Sequence, residues 1–170
     1  QQSPACRPLI EYGLQSQAPV AWKRELLGRL EGSRWSSRLP VLQALLSMSE
    51  KDFSAARSQF EHAAASGKLT WGESAMYGIS LYETGRFQQA AGVFQKLVDE
   101  MEIRFNIRPS PSEDLILPLS PARLAVIPSQ YVMQERVLMD ASIGLARCAF
   151  RSRDAPEKIR TLYQRAIGVC

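Results

Sequence analysis

Histidine and cysteine are scarce in this chain of 170 residues: one histidine, His62, and three cysteines, Cys6, Cys148 and Cys170. No two cysteines stand in a Cys-x-x-Cys pair, so a zinc site of the usual kind cannot be completed. A Cys–His dyad would have to use His62, which follows Phe60 in an apolar-periodic segment and reads as a structural or exposed side chain. Gly-rich phosphate loops, Gly-x-Ser-x-Gly elbows and His-Glu-x-x-His pairs are also missing. The neighbouring carboxylates Asp99, Glu100 and Glu102 point in different directions around a helix and read as solvated charges. These absences argue against an enzyme and imply no cofactor and no metal. No apolar run approaches the roughly 18–20 residues of a membrane-spanning helix, and Gln1 to Arg7 lack the charged-then-apolar layout of a signal peptide.

Lysine is scarce as well, with five against sixteen arginines, so the formal net charge of +4 comes from arginine. Five of those arginines, Arg147, Arg151, Arg153, Arg160 and Arg165, cluster near the C-terminus. A basic face for nucleic acid or an acidic partner is one reading. Asp154 and Glu157 interrupt the cluster and the sequence shows no aromatic platform beside it. A solvated helix surface is therefore the favoured reading, and nucleic acid is not the expected partner.

What the chain does have is a period. Phe53, Ala56, Phe60 and Ala63 recur as Phe87, Ala90, Phe94 and Leu97, each 34 residues on. Offsets of 3, 4 and 3 put each set on one helix face. Upstream, Ala44 and Gly78 keep the same spacing, and Tyr77, Leu81 and Gly85 complete the second unit. This arrangement resembles the tetratricopeptide repeat, a 34-residue helix–turn–helix unit. The resemblance covers about 68 residues, roughly Ser37 to Arg104. It implies an all-α fold, a right-handed superhelical array of antiparallel helix hairpins. In that family a small residue of the first helix, here Ala44 or Gly78, admits the second helix closely. Ala56 and Ala90 are the small residues of the second helix, and Phe60 and Phe94 fill the gap between units. Gly85 falls where the inter-helix turn wants positive φ; the preceding unit has Lys51 there, a departure from the pattern.

The expected organisation is one helical-repeat domain over 1–170: N-terminal helices or a degenerate unit (7–33), repeats at 37–70 and 71–104, a Pro-rich apolar insertion (105–130) and a degenerate repeat (131–170). Helices are expected at about Arg7–Gln15, Val20–Leu30, Trp35–Ser49, Lys51–Ser66, Thr70–Thr84 and Arg86–Arg104. Two more follow at about Tyr131–Phe150 and Ala155–Ile167. The insertion holds five of the ten prolines and is too apolar for a plain solvated linker; it either packs along the helices or contributes to a partner site. Tyr163 and Ala166 echo the aromatic-x-x-Ala ending of the earlier units, with Arg153-Asp154 in place of the glycine turn. Cys148 reads as a buried small hydrophobe. Cys6 and Cys170 lie at opposite chain ends, which a solenoid need not bring together.

The resemblance also implies a concave groove lined by the first helix of each unit. Carried over position by position, its candidates are Arg38, Val41, Leu45 and Met48 in one unit and Ala75, Ile79, Tyr82 and Glu83 in the next. Some members of the family clamp a terminal carboxylate through Lys and Asn; Leu45 and Ile79 stand where Asn is wanted, so tail-carboxylate recognition is not expected. An apolar groove suits a hydrophobic peptide or an amphipathic helix, with Met48 and Tyr82 as adaptable anchors. The expected role is a protein-binding scaffold or adaptor. A chaperone-like or secretion-associated carrier of hydrophobic clients and a nucleic-acid binder through the arginine face are the alternatives. The groove can instead be covered by the Asn106–Gln130 segment or by another copy of the chain, a homo-oligomer.

Overall fold

The computed structural model describes residues 19–33, 36–67, 69–105 and 129–167. Among them are seven α-helices, one short 3-10 turn and no strand, so the all-α expectation holds. The helices are α1 (Val20–Leu30), α2 (Leu39–Ser49), α3 (Phe53–Ser66), α4 (Trp71–Glu83), α5 (Phe87–Phe105), α6 (Ser129–Arg151) and α7 (Pro156–Ile167). Their limits lie within a few residues of those the periodicity gives. The largest shift is at α2, where residues 36–38 form the 3-10 turn and the α-helix starts at Leu39. Pro40 then lies in the first helical turn, where it forfeits no hydrogen bond. The Arg7–Gln15 helix, most of the 105–130 insertion, Cys6 and Cys170 lie outside the described residues.

The chain divides into two compact units at Thr84/Gly85. The boundary falls inside the second expected repeat, after its first helix. In the N-terminal unit, α3 folds back against α2 across a three-residue connection, and α4 packs on α3 and touches α2. The core of this unit joins Val41, Ala44 and Leu45 of α2 to Phe60 and Ala63 of α3, flanked by Met48, Leu69, Met76 and Tyr77. The Phe60 and Tyr77 rings meet tilted at 6.0 Å between centroids, an arrangement favoured by their quadrupoles. The opposite side of α2 receives α1: Leu27 buries against Leu42 and Leu46. In the C-terminal unit, α6 packs on α5 and α7 packs on α6. There Gly144 makes room for Phe94, because a Cβ at Gly144 would sit 2.6 Å from the phenyl ring.

Local signals start and stop the helices. Asp52 accepts from the Ala55 amide at 3.0 Å and caps α3. Thr70 and Glu73 form a reciprocal capping box on α4. Positive φ occurs, among the described residues, only directly after a helix: Gly32, Lys51, Gly85 and Arg153. The turns at Lys51 and Arg153 share one hydrogen-bond pattern. The Lys51 amide donates to Met48 O and the Asp52 amide to Ser47 O; the Arg153 amide donates to Phe150 O and the Asp154 amide to Ala149 O. Both are Schellman closures. Lys51 therefore adopts the left-handed conformation despite its side chain, and so does Arg153.

Burial repeats with the sequence. Ala44 and Gly78 are both buried, as are Ala56 and Ala90, Phe60 and Phe94, and Ala63 and Leu97; Phe53 and Phe87 are both half-buried. Leu81 is fully buried in α4.

Candidate partner-binding groove

All eight groove candidates lie in the N-terminal unit, at the start of or along α2 and α4. Their exposure also follows the 34-residue register. Val41 and Ala75 are both buried, and Met48 and Tyr82 are both half-buried. Leu45 is buried whereas Ile79 is half-buried. Val41, Leu45 and Ala75 are only 2 %, 6 % and 6 % exposed. They are core, not contact surface: Val41 and Leu45 belong to the cluster around Phe60. The side chains that keep surface are Met48, Ile79 and Tyr82, with Glu83 exposed at the end of α4.

Arg38 is placed differently from a free groove cation. Its guanidinium donates to Glu73 Oε1 across the starts of α2 and α4, and Glu73 is itself buried. The second carboxylate oxygen, Oε2, accepts from the Thr70 amide at 2.8 Å. One carboxylate thus caps α4 and ties it to the residue preceding α2. Burying that charge is tolerable because both oxygens are satisfied and a cation adjoins. Tyr77, packed against the Phe60 cluster, has its phenol pKa raised, first by burial and second by the Glu61 carboxylate, with Arg57 opposing.

His62 is exposed on α3. Cys148 is buried in α6, and burial pushes its thiol from 9.0 to about 11. Such a group is a packing element and a poor nucleophile at neutral pH. Among the described residues, no group of three or more His, Cys, Asp or Glu side chains is placed to hold a metal ion. No helix of the described residues is long and apolar enough to cross a membrane. A polar cleft of about 440 Å³ in the C-terminal unit is lined by Gly85, Arg86, Phe87, Gln88, Gln89 and Ser152; it contains no acid and no thiol.

The arginine cluster does not form a uniform set. Arg165 is bound to Glu102 through both Nε (2.9 Å to Oε1) and a terminal nitrogen, joining α7 to α5. Arg147, Arg151, Arg153 and Arg160 are exposed. An exposed aromatic, Phe150, stands among them. The apolar periodicity of α6 carries the signal for this: Leu138, Ala141, Leu145 and Ala149 form the buried stripe, and Phe150 falls off it.

Compared with known proteins, the chain matches no family model, no curated protein and no solved structure.

Proposed function

We propose that this chain is a tetratricopeptide-type α-solenoid module that scaffolds a protein complex by holding an apolar peptide or amphipathic helix of its partner. The observation that carries the reading is the recurrence of burial, and not only of sequence, at 34 residues. Seam positions are buried in both units of the pattern, and Met48 and Tyr82 keep equivalent partial exposure on the first helices. Two adaptable, largely apolar side chains in one register, together with half-buried Ile79, offer apolar contacts of the kind an amphipathic helix needs for its own anchors. Arg38 is engaged by Glu73, so the affinity comes from the apolar contacts.

The test places a photo-crosslinking residue at Ile79 or Tyr82 of the full chain in its native cells, with His62 on α3 as the exposed control. Crosslinks to one recurrent partner from positions 79 and 82, lost in the Met48→Asp/Ile79→Asp double variant while the circular dichroism melt persists, are the expected result. Capture no greater than from position 62 rejects the reading. Crosslinks to many unrelated proteins favour a client carrier over an adaptor. Leu45 is unsuited to this test, because an Asp there would disrupt the core around Phe60.

A further inference from the structure

A second candidate surface lies in the C-terminal unit. Arg147 and Phe150 are three residues apart on α6, and Arg160 and Tyr163 are three apart on α7. Side chains at that spacing are neighbours on a helix face. The two helices pack against each other. Phe150 is 63 % exposed and Tyr163 38 % exposed, and Arg147, Arg153 and Arg160 are exposed. From Arg147 to Tyr163 there are five cations against two anions. One of those anions, Asp154, is engaged by Lys158 at 2.7 Å. Arg165, the cluster's remaining arginine, is held by Glu102 and takes no part.

We infer that this α6–α7 hairpin binds single-stranded nucleic acid, with Phe150 and Tyr163 as stacking platforms for bases and Arg147, Arg153 and Arg160 as phosphate contacts. Both chemistries are present in one element pair: π faces in solvent, and planar guanidinium forks that suit phosphate oxygens. A solvated arginine face needs no aromatic, whereas Phe150 stands 63 % exposed within this one. A duplex keeps its bases stacked inside and would leave the two rings unused. An acidic peptide would pair with the arginines but gains less from exposed rings than a strand of bases does.

The experiment measures fluorescence polarisation of the full chain with a labelled oligothymidylate of about a dozen nucleotides, within the usual site size of a single-strand-binding domain. A duplex of the same length and a polyglutamate peptide are the comparison probes. The expected result is preference for the single strand, with a slope of log K against log salt of about −2 for three phosphate contacts. Phe150→Ala should weaken binding about 5- to 100-fold, as loss of one stacked base does, and Phe150→Trp should retain it. Arg147→Ala should flatten the salt slope by about 0.7. Equal binding of the duplex or the polyglutamate, an unchanged affinity in a folded Phe150→Ala protein, or no binding at low salt overturns the inference.

Discussion

Replacing Lys51 by glycine should stabilise the protein, and replacing Gly85 by alanine should destabilise it by a similar amount. Both residues occupy the left-handed region, at φ 61° and 76°, in the turns that follow α2 and α4. An L-residue in that region bears about 1–2 kcal/mol of steric cost that glycine escapes. Glycine in turn loses about 0.5–1 kcal/mol more backbone freedom on folding. The difference leaves a net gain of about 0.5–1 kcal/mol for Lys51→Gly. Gly85→Ala reverses the same two terms, and no atom lies within 4 Å of the Cβ that would be added, so its cost is backbone conformation alone. For a cooperative unit of this size 1 kcal/mol corresponds to about 4–8 °C in Tm. The expected shifts are therefore about +2 to +8 °C for Lys51→Gly and an equal fall for Gly85→Ala, read by calorimetry or circular dichroism. Lys51→Ala controls for the side chain and should leave Tm close to wild type. A fall with Lys51→Gly together with a rise with Gly85→Ala would refute the turn geometry, because it would mean that unfolded-chain entropy alone sets the sign. Arg153→Gly should follow Lys51→Gly, since its turn closes through the same two hydrogen bonds.

Other perturbations address the packing and the buried groups. Gly144→Ala should overpack the seam against Phe94 and cost about 1–3 kcal/mol; Phe94→Leu in the same chain should recover part of that loss in a double-mutant cycle, and additive effects would show that the ring does not lie over Gly144. Ala56→Leu and Ala90→Leu should each cost about 1–3 kcal/mol by the same overpacking, seen as lower melting midpoints, and unchanged midpoints would remove the small-residue seam. Cys148 gives an alkaline signature. Its thiol stays protonated in the fold to about pH 11, while the unfolded thiol ionises near 9.0, so the native state binds more protons and stability falls as pH rises through that window. The fall should be smaller in Cys148→Ala, measured by denaturant midpoints from pH 8 to about pH 11. Glu102→Gln should cost about 1–3 kcal/mol, because Arg165 keeps its partly buried position with a weaker acceptor.

Helix limits and seam residues were legible because both are local or periodic. The expected starts at Lys51 and Thr70 fall one or two residues before Phe53 and Trp71, where the side chains of Asp52 and Thr70 cap the helices, and the aromatic and alanine spacing names the buried face. The Lys51 turn was legible only by position: its chemistry argues against positive φ, and the 34-residue register prevails over it. The burial of the groove candidates was not legible. The resemblance offers Val41, Leu45 and Ala75 as groove-facing but does not say what covers them, and all three are buried. Arg38 shows the same limit in electrostatics. Its partner Glu73 is 35 residues away, and a sequence-local view sees only an available cation. At Gly144 it is the lack of a Cβ that accommodates Phe94, a fit between two helices that no local pattern announces.

The arginine excess becomes interpretable once its members are sorted by what they touch. Arg38 and Arg165 hold pairs of elements together through carboxylates that retain little solvent. Arg24 and Arg29 meet Glu50 and Glu25 at exposed sites, where such pairs add little stability. Arg147, Arg153 and Arg160 are exposed on the hairpin that also exposes Phe150 and Tyr163, and among the described residues no ion pair engages them. The net charge is thus carried by a local surface of the C-terminal unit, while the proposed peptide surface belongs to the N-terminal unit and is mostly apolar. Two chemistries assigned to two units should respond independently. Met48→Asp/Ile79→Asp should abolish partner capture and leave oligothymidylate affinity unchanged, and Phe150→Ala should do the reverse. A loss of both activities in either folded variant would mean that one surface serves both ligands, and the division by charge would then be wrong.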